Sequence, residues 1–172
     1  MNIIQKSLES EKYFQKKDLP ILEKIAALLF SKKFKKKEII LREGQVCKEI
    51  YYVKKGLLRV YIINDGKEVN TWFVKEGDFI TSIGSFHYQL PSDHYIDAVE
   101  DSEIISIKKS TLEFIVRNNH KAALFAMNEL FNKLCDYQNQ ASALRFMNAE
   151  NRYHYLYKKN NDVLSRLSQK HI

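Results

Sequence analysis

The chain is poor in the residues that build covalent or metal-held scaffolds. Its 172 residues include 2 cysteines, Cys47 and Cys135, which stand alone and form no CxxC. That excludes a disulfide framework and a thiolate metal site, and fits a reducing compartment with both thiols packed. The 5 histidines are scattered, and His87 and His94 are seven apart with no His-x-His. No Walker loop, GxGxxG or Ser-His-Asp spacing occurs, so neither nucleotide hydrolysis nor nucleophilic catalysis has its usual signature. No apolar run approaches the ~20 residues needed to span a bilayer. The opening "MNIIQKSLESEKYFQKK" is too polar for a secretory signal. A cytoplasmic protein with no membrane partner, no cofactor and no enzymatic activity is expected.

Proline and glycine are also scarce, and their placement divides the chain. All 5 glycines (44, 56, 66, 77 and 84) lie in the first half, the first four of them 10 to 12 residues apart. Between them run "EIIL", "EIYYV", "LLRVYII" and "EVNTWFV", followed by "HYIDAV" and "EIISI". Short β-branched and aromatic segments at that spacing predict an antiparallel sandwich or barrel. "NDG" (64–66) predicts a hairpin turn, because Asn, Asp and Gly tolerate positive φ. Alternation in "RVYII" is partial, which fits a rolled sheet with partners on both sides. Ahead of the strands, "DLPILEKIAALLFSKK" predicts an amphipathic helix capped by Asp18, with Pro20 in its first turn and Leu19, Leu22, Ala26 and Leu29 at helical spacing.

Beyond residue 109 glycine and proline vanish. "STLE" (110–113) reads as a capping box, Ser110 with Glu113, opening a short helix. A longer helix over 121–147 carries Ala123, Met127, Leu130, Leu134, Tyr137, Ala141 and Leu144 in alternating steps of four and three. That is a heptad seam, and it predicts a homodimer helix with Met127, Leu130, Leu134, Tyr137, Ala141 and Leu144 at the interface. Phe125, Phe131 and Phe146 form a second apolar face expected to cover the strands. Asn148 can cap a further helix, "AENRYHYLYKKN", and Ser168 stands at an N-cap position near the end of the sequence.

Charge follows the same division. The net charge is +7, from +8 over residues 1–60 (15 Lys/Arg, 7 Asp/Glu), −5 over 61–120 (5 against 10) and +4 over 121–172 (8 against 4). Basic ends with an acidic middle permit contact with nucleic acid through the ends. "KKFKKKE" (32–38) alone reads as a solvated loop entering a strand.

A leading helix, a roll of about eight short strands, a capped helix and a long seam helix resemble the cAMP receptor protein/Crp-Fnr family of bacterial transcription regulators. "ILREGQVCKEIYYVKKGLLRVYIINDGKEVNTWFVKEGDFI" carries the likeness, with its E-G turn, its "KKGLLRVY" strand and its "GDFI" lead into the ligand cassette. The pattern is close to sensor domains of Bacteroidetes-type regulators. "RLSQKHI" resembles the opening of the family's helix-turn-helix, whose recognition helix would follow. The resemblance implies an α+β fold: an antiparallel double-stranded β-helix (jelly roll), flanking helices and a long C-terminal dimerisation helix. It implies three parts: 1–109 as leading helix and cyclic-nucleotide-binding-like roll, 110–147 as capped and dimerisation helices, and 148–172 as the start of a DNA-binding domain not completed in this sequence.

In the nucleotide-binding members the cassette after "GDFI" reads roughly G-E-L-G-L-F, with an Arg-Ser or Arg-Thr pair further on. The glutamate holds the ribose 2′-hydroxyl and the arginine the cyclic phosphate. Here the segment is "TSIGSF": Gly84 and Phe86 agree, Ser82 stands for the glutamate, Ser92 for the arginine, and Asp93 for the small hydroxyl residue. The cassette residues implied are Ser82, Ile83, Gly84, Ser85, Phe86, Ser92 and Asp93. Residues 61–110 contain no arginine. Losing a buried charge-assisted phosphate contact costs about 2–5 kcal/mol, roughly 30- to several-thousand-fold in affinity. The effector, if the chain has one, is thus expected to be an unknown small molecule other than cAMP or cGMP. The expected cavity is small and mostly apolar, with Ile83, Phe86 and Tyr95 filling the space of a purine and ribose.

Other chemistry on such a roll has poor support. A cupin-type metal enzyme wants a His-x-His pair, a nearby Glu and a later His. An iron–sulfur sensor wants four cysteines, and nothing singles out a haem ligand. The reading is the effector-sensing and dimerisation portion of a Crp/Fnr-like regulator whose DNA contacts fall to a C-terminal domain absent from these residues. The alternative is a stand-alone dimeric cyclic-nucleotide-binding-like module with a protein or small-ligand partner.

Overall fold

The glycine-punctuated region folds as two antiparallel sheets wrapped on each other. The computed structural model describes residues 13–15, 18–148, 162–163 and 165–167, with Leu144 by its backbone alone. Among them the strands are β1 (Phe30–Phe34), β2 (Ile39–Leu41), β3 (Glu49–Lys55), β4 (Leu58–Asn64), β5 (Lys67–Val74), β6 (Phe79–Ile80), β7 (Tyr95–Ala98) and β8 (Ser102–Lys108). One sheet has the order β1-β8-β3-β6, the other β2-β7-β4-β5. Apart from the β4–β5 hairpin, successive strands pass between the sheets, and the expected jelly roll results. The "KKFKKKE" stretch is only partly a loop. Its first residues belong to β1, which pairs with β8 from Phe30↔Ser106 to Phe34↔Ser102.

Local sequence explains the turns. Asp65 (φ 50°) and Gly66 (φ 74°) both take the left-handed region between β4 and β5, the geometry a two-residue hairpin favours. A register shift between Val60 and Tyr61 breaks the β4–β5 ladder, so strict alternation fails there. The roll core joins Leu41, Tyr51, Val53, Leu58, Ile96 and Ile104.

Four helices flank the roll among the described residues: α1 (Leu19–Ala26), α2 (Ile83–Tyr88), α3 (Lys109–Asn118) and α4 (His120–Phe146). Two predicted caps do not form. Asp18 leaves the α1 amides alone. Its carboxylate instead accepts Lys121 Nζ at 2.7 Å on both oxygens, tying α1 to α4. Helix α3 starts at Lys109 with no side-chain cap, which places Ser110 inside the first turn rather than ahead of it. The cap that does form is Asn119, whose Oδ1 accepts the Ala122 N–H at 2.8 Å. Phe14, Leu22, Ile115 and Ala122, with Phe125 against them, make a second core where α1, α3 and α4 meet.

Phe131 and Phe146 are exposed, contrary to the expectation that they cover the strands. Tyr137 turns to the roll instead, its ring 4.8 Å from that of Trp72. Cys47 is fully buried, whereas Cys135 is exposed on α4 rather than packed. The helix proposed for 149–160 and the Ser168 cap lie outside the described residues.

Candidate functional site

The cassette begins at the end of β6. Ser82 is extended, α2 follows, and Gln89 ends the helix in the left-handed region (φ 56°), turning the chain back. The returning strand is held against the 44–47 segment: Gly44 N–H donates to the Ser92 carbonyl at 2.7 Å, and Ser92 N–H donates to the Gln45 carbonyl at 2.9 Å. Ser85 is buried beneath this turn, where Oγ accepts the Cys47 N–H at 2.8 Å and donates to the Leu90 carbonyl.

This fold brings Ser82 and Ser92 together. Both are buried, and their Oγ atoms lie 2.9 Å apart. Ser92 Oγ is also 3.0 Å from the His94 carbonyl and accepts the His94 N–H at 3.1 Å. The two hydroxyls therefore satisfy each other inside the protein. Asp93 points outward, its side chain 85% exposed, 2.6 Å from His94 Nδ1. Hydrogen bonding to His94 holds its carboxyl below the usual carboxylate range.

Behind the cassette lies a cavity of about 1390 Å³, between the roll, α2, the second core and α4. It is much larger than the small cavity expected. Roll residues Val60, Trp72, Val74 and Ile80 form one wall, and Ala123, Met127, Leu130 and Tyr137 of α4 another. Ser82, Ile83, Gly84, Phe86 and Asp93 line it, whereas Ser85 and Ser92 do not. Phe86 packs on the roll core, but Ile83 is half exposed. Tyr95 does not fill the cavity. It stacks on Tyr61 at 5.0 Å and 11°. Trp72 and Lys133 were not singled out in the sequence. The lone tryptophan of the "EVNTWFV" strand was the available signal for the first; Lys133 is visible only in space, 2.9 Å from Asp78 of the "GDFI" turn.

Several residues of the predicted α4 seam are exposed apolar side chains and form a stripe along the helix. Leu130 is 64% and Leu134 58% exposed, with Met127 and Tyr137 less so. Ala141 is exposed, and the side chain of Leu144 lies outside the described residues. Met127, Leu130, Tyr137 and Ala141 belong both to this stripe and to the cavity wall. Among the described residues no group of three His, Cys, Asp or Glu side chains is placed to hold a metal ion. No helix there is long and apolar enough to cross a membrane.

Comparison with known proteins agrees with this architecture. The cyclic nucleotide-binding domain model matches residues 31–119. The cAMP-activated global transcriptional regulator CRP of Pasteurella multocida is 25% identical over 134 residues, which are 77% of this chain and 64% of that protein. The chain thus spans under two thirds of the relative it matches. Catabolite activator protein of Thermus thermophilus shares the fold with a TM-score of 0.64 at 15% identity, over 82% of this chain and 63% of that one. FixK2 of Bradyrhizobium japonicum does so with a TM-score of 0.66 at 18% identity, over 78% and 67%. With the domain model matched over more than half of its length, this chain belongs to the cyclic nucleotide-binding domain family, in its Crp/Fnr branch.

Proposed function

We propose that this chain senses a small effector other than cAMP or cGMP and dimerises through α4, as the sensor portion of a transcription regulator. The observation that carries the reading is the double use of α4. Met127, Leu130 and Tyr137 line the cavity behind the cassette and also stand in the exposed heptad stripe. A molecule in the cavity touches the helix on which a second copy would pack, so its binding energy can bias how two copies cross. In the whole regulator that bias would set the spacing of two DNA-reading elements against successive major grooves. CRP of Pasteurella multocida is named as cAMP-activated. The cassette argues for a different effector here, because Ser82 and Ser92 occupy the two contact positions and are closed on each other.

Sedimentation equilibrium tests the reading. A dimer is expected throughout roughly 10–100 µM protein; a monomer across that range contradicts it.

A further inference from the structure

We infer that the cavity is a binding site for an uncharged, hydrocarbon-rich molecule, such as a medium-chain alcohol or a fused-ring aromatic. The inference rests on the sensor reading above and gives it a ligand class.

The serine and threonine hydroxyls that line the cavity are committed to the protein, and the Tyr137 phenol and the Gln140 amide are the other hydroxyl and amide groups of the lining. Thr71 Oγ1 donates to the Val60 carbonyl at 3.1 Å, Thr81 Oγ1 to the Glu49 carbonyl at 3.0 Å, and Ser82 is joined to Ser92. A sugar or nucleotide would lose its bonds to water on entering and find few replacements, which is costly for each buried polar group. A hydrocarbon brings no such need.

Charge in the lining points the same way. Its carboxylates are Asp93 and Glu129, and its one lysine, Lys133, is paired with Asp78 at 2.9 Å. His87 and His94 also line it, and His94 is engaged by Asp93. The lining contains no arginine. With Asp93 turned outward, a ligand carboxylate or phosphate would meet the Glu129 carboxylate and no bidentate partner. Apart from Gln140 the rest of the surface is mostly aliphatic and aromatic, from Leu22 and Phe125 at the helical end to Val60 and Trp72 in the roll. At about 1390 Å³ the space exceeds the ~300–1,000 Å³ of ordinary small-ligand sites, so an elongated or multi-ring molecule fits it.

Trp72 is both a wall of the cavity and the chain's one tryptophan, so its emission reports occupancy directly. The probe is N-phenyl-1-naphthylamine, which is uncharged, followed by energy transfer from Trp72 and then by competition with 1-decanol and with decanoate at neutral pH. Saturable transfer is expected, with decanol displacing the probe about tenfold or more better than decanoate, since burying an ionised carboxylate is costly. Ala126→Phe should narrow the cavity from α4 and weaken probe binding about tenfold, with helical circular dichroism unchanged. Absence of saturable transfer in the wild-type chain, or decanoate competing as well as decanol, overturns the inference. Sedimentation of the same samples keeps the two claims apart. A dimer that binds no probe loses only the ligand class, whereas a monomer that binds it loses the dimer claim.

Discussion

Arg59 is a full charge at the buried start of a strand. On β4 its side chain is 6% exposed, and that of Asp97 opposite it on β7 is 9% exposed. The guanidinium grips Asp97 through Nε at 3.0 Å and through a terminal nitrogen at 2.6 Å. Its other terminal nitrogen reaches Glu68 at 2.9 Å and Asn70 at 3.1 Å. Such a pair is weak as net stabilisation, but breaking it strands a buried charge. Arg59→Met should lower unfolding free energy by ~3–5 kcal/mol, and adding Asp97→Leu should recover much of that loss. Urea titration of both single variants and the double checks it; a double variant that loses the sum of both single losses contradicts it. Neither the arginine nor its partner stood out in the sequence. Only the β4–β7 register, Arg59↔Asp97, brings together residues 38 apart. The Ser82–Ser92 contact was hidden for the same reason. The sequence named both residues as cassette positions without showing that they would bond to each other.

Helix α4 is the element on which the functional reading turns. Leu134 is exposed on the stripe and does not line the cavity, so it tests the stripe alone. Leu134→Glu should raise the dimer dissociation constant at least ~100-fold while the roll stays folded, because an unpaired carboxylate would be buried between copies. Sedimentation with circular dichroism reads both effects, and a dimer of unchanged affinity would place the interface elsewhere. A second element-scale contact lies at the other end of the chain. Val163 inserts beside Leu57 and Val99, and Arg166 holds Glu76 at 2.9 Å and also Glu100. Burial alone would raise the Glu76 carboxyl. Hydrogen bonds from Arg166 and the Gly56 amide outweigh that and hold it below its ordinary 4.5. A depressed carboxylate stabilises the docked form above its free pKa and loses that contribution as pH falls through the folded value. Amide exchange at 162–167 should therefore speed up as pH drops progressively below about 4.5, after correction for intrinsic rates. Arg166→Ala should speed it at neutral pH. Both groups are partly exposed, so the effect is modest, and exchange indifferent to both changes contradicts the contact.

The elements themselves were largely legible where a local rule fixes them. The NDG turn, the β-branched runs and the long glycine-free helix all appear with bounds close to those expected. What escaped depends on partners. β1 reads as solvated because its lysines face water while its backbone pairs with β8. The Ser110 cap fails because the helix is entered two residues earlier, at Lys109, straight from β8.

At the scale of the whole molecule, the roll, the cassette and α4 line one partly open apolar space whose size no local pattern encodes. It depends on how far α1 and α4 stand from the roll, and so on contacts such as Asp18–Lys121 and Lys133–Asp78. The central claim is that this space does not serve a cyclic nucleotide, since the cassette offers a serine pair where charged contacts are needed. Thermal unfolding with ~100 µM cAMP or cGMP tests it most directly. A ligand with a dissociation constant of ~1 µM would contribute about 2.7 kcal/mol at that concentration, raising the midpoint by ~5–10 °C for a chain of this size. The account predicts no shift beyond the scatter of replicate scans. A reproducible rise of that size with either nucleotide would contradict it.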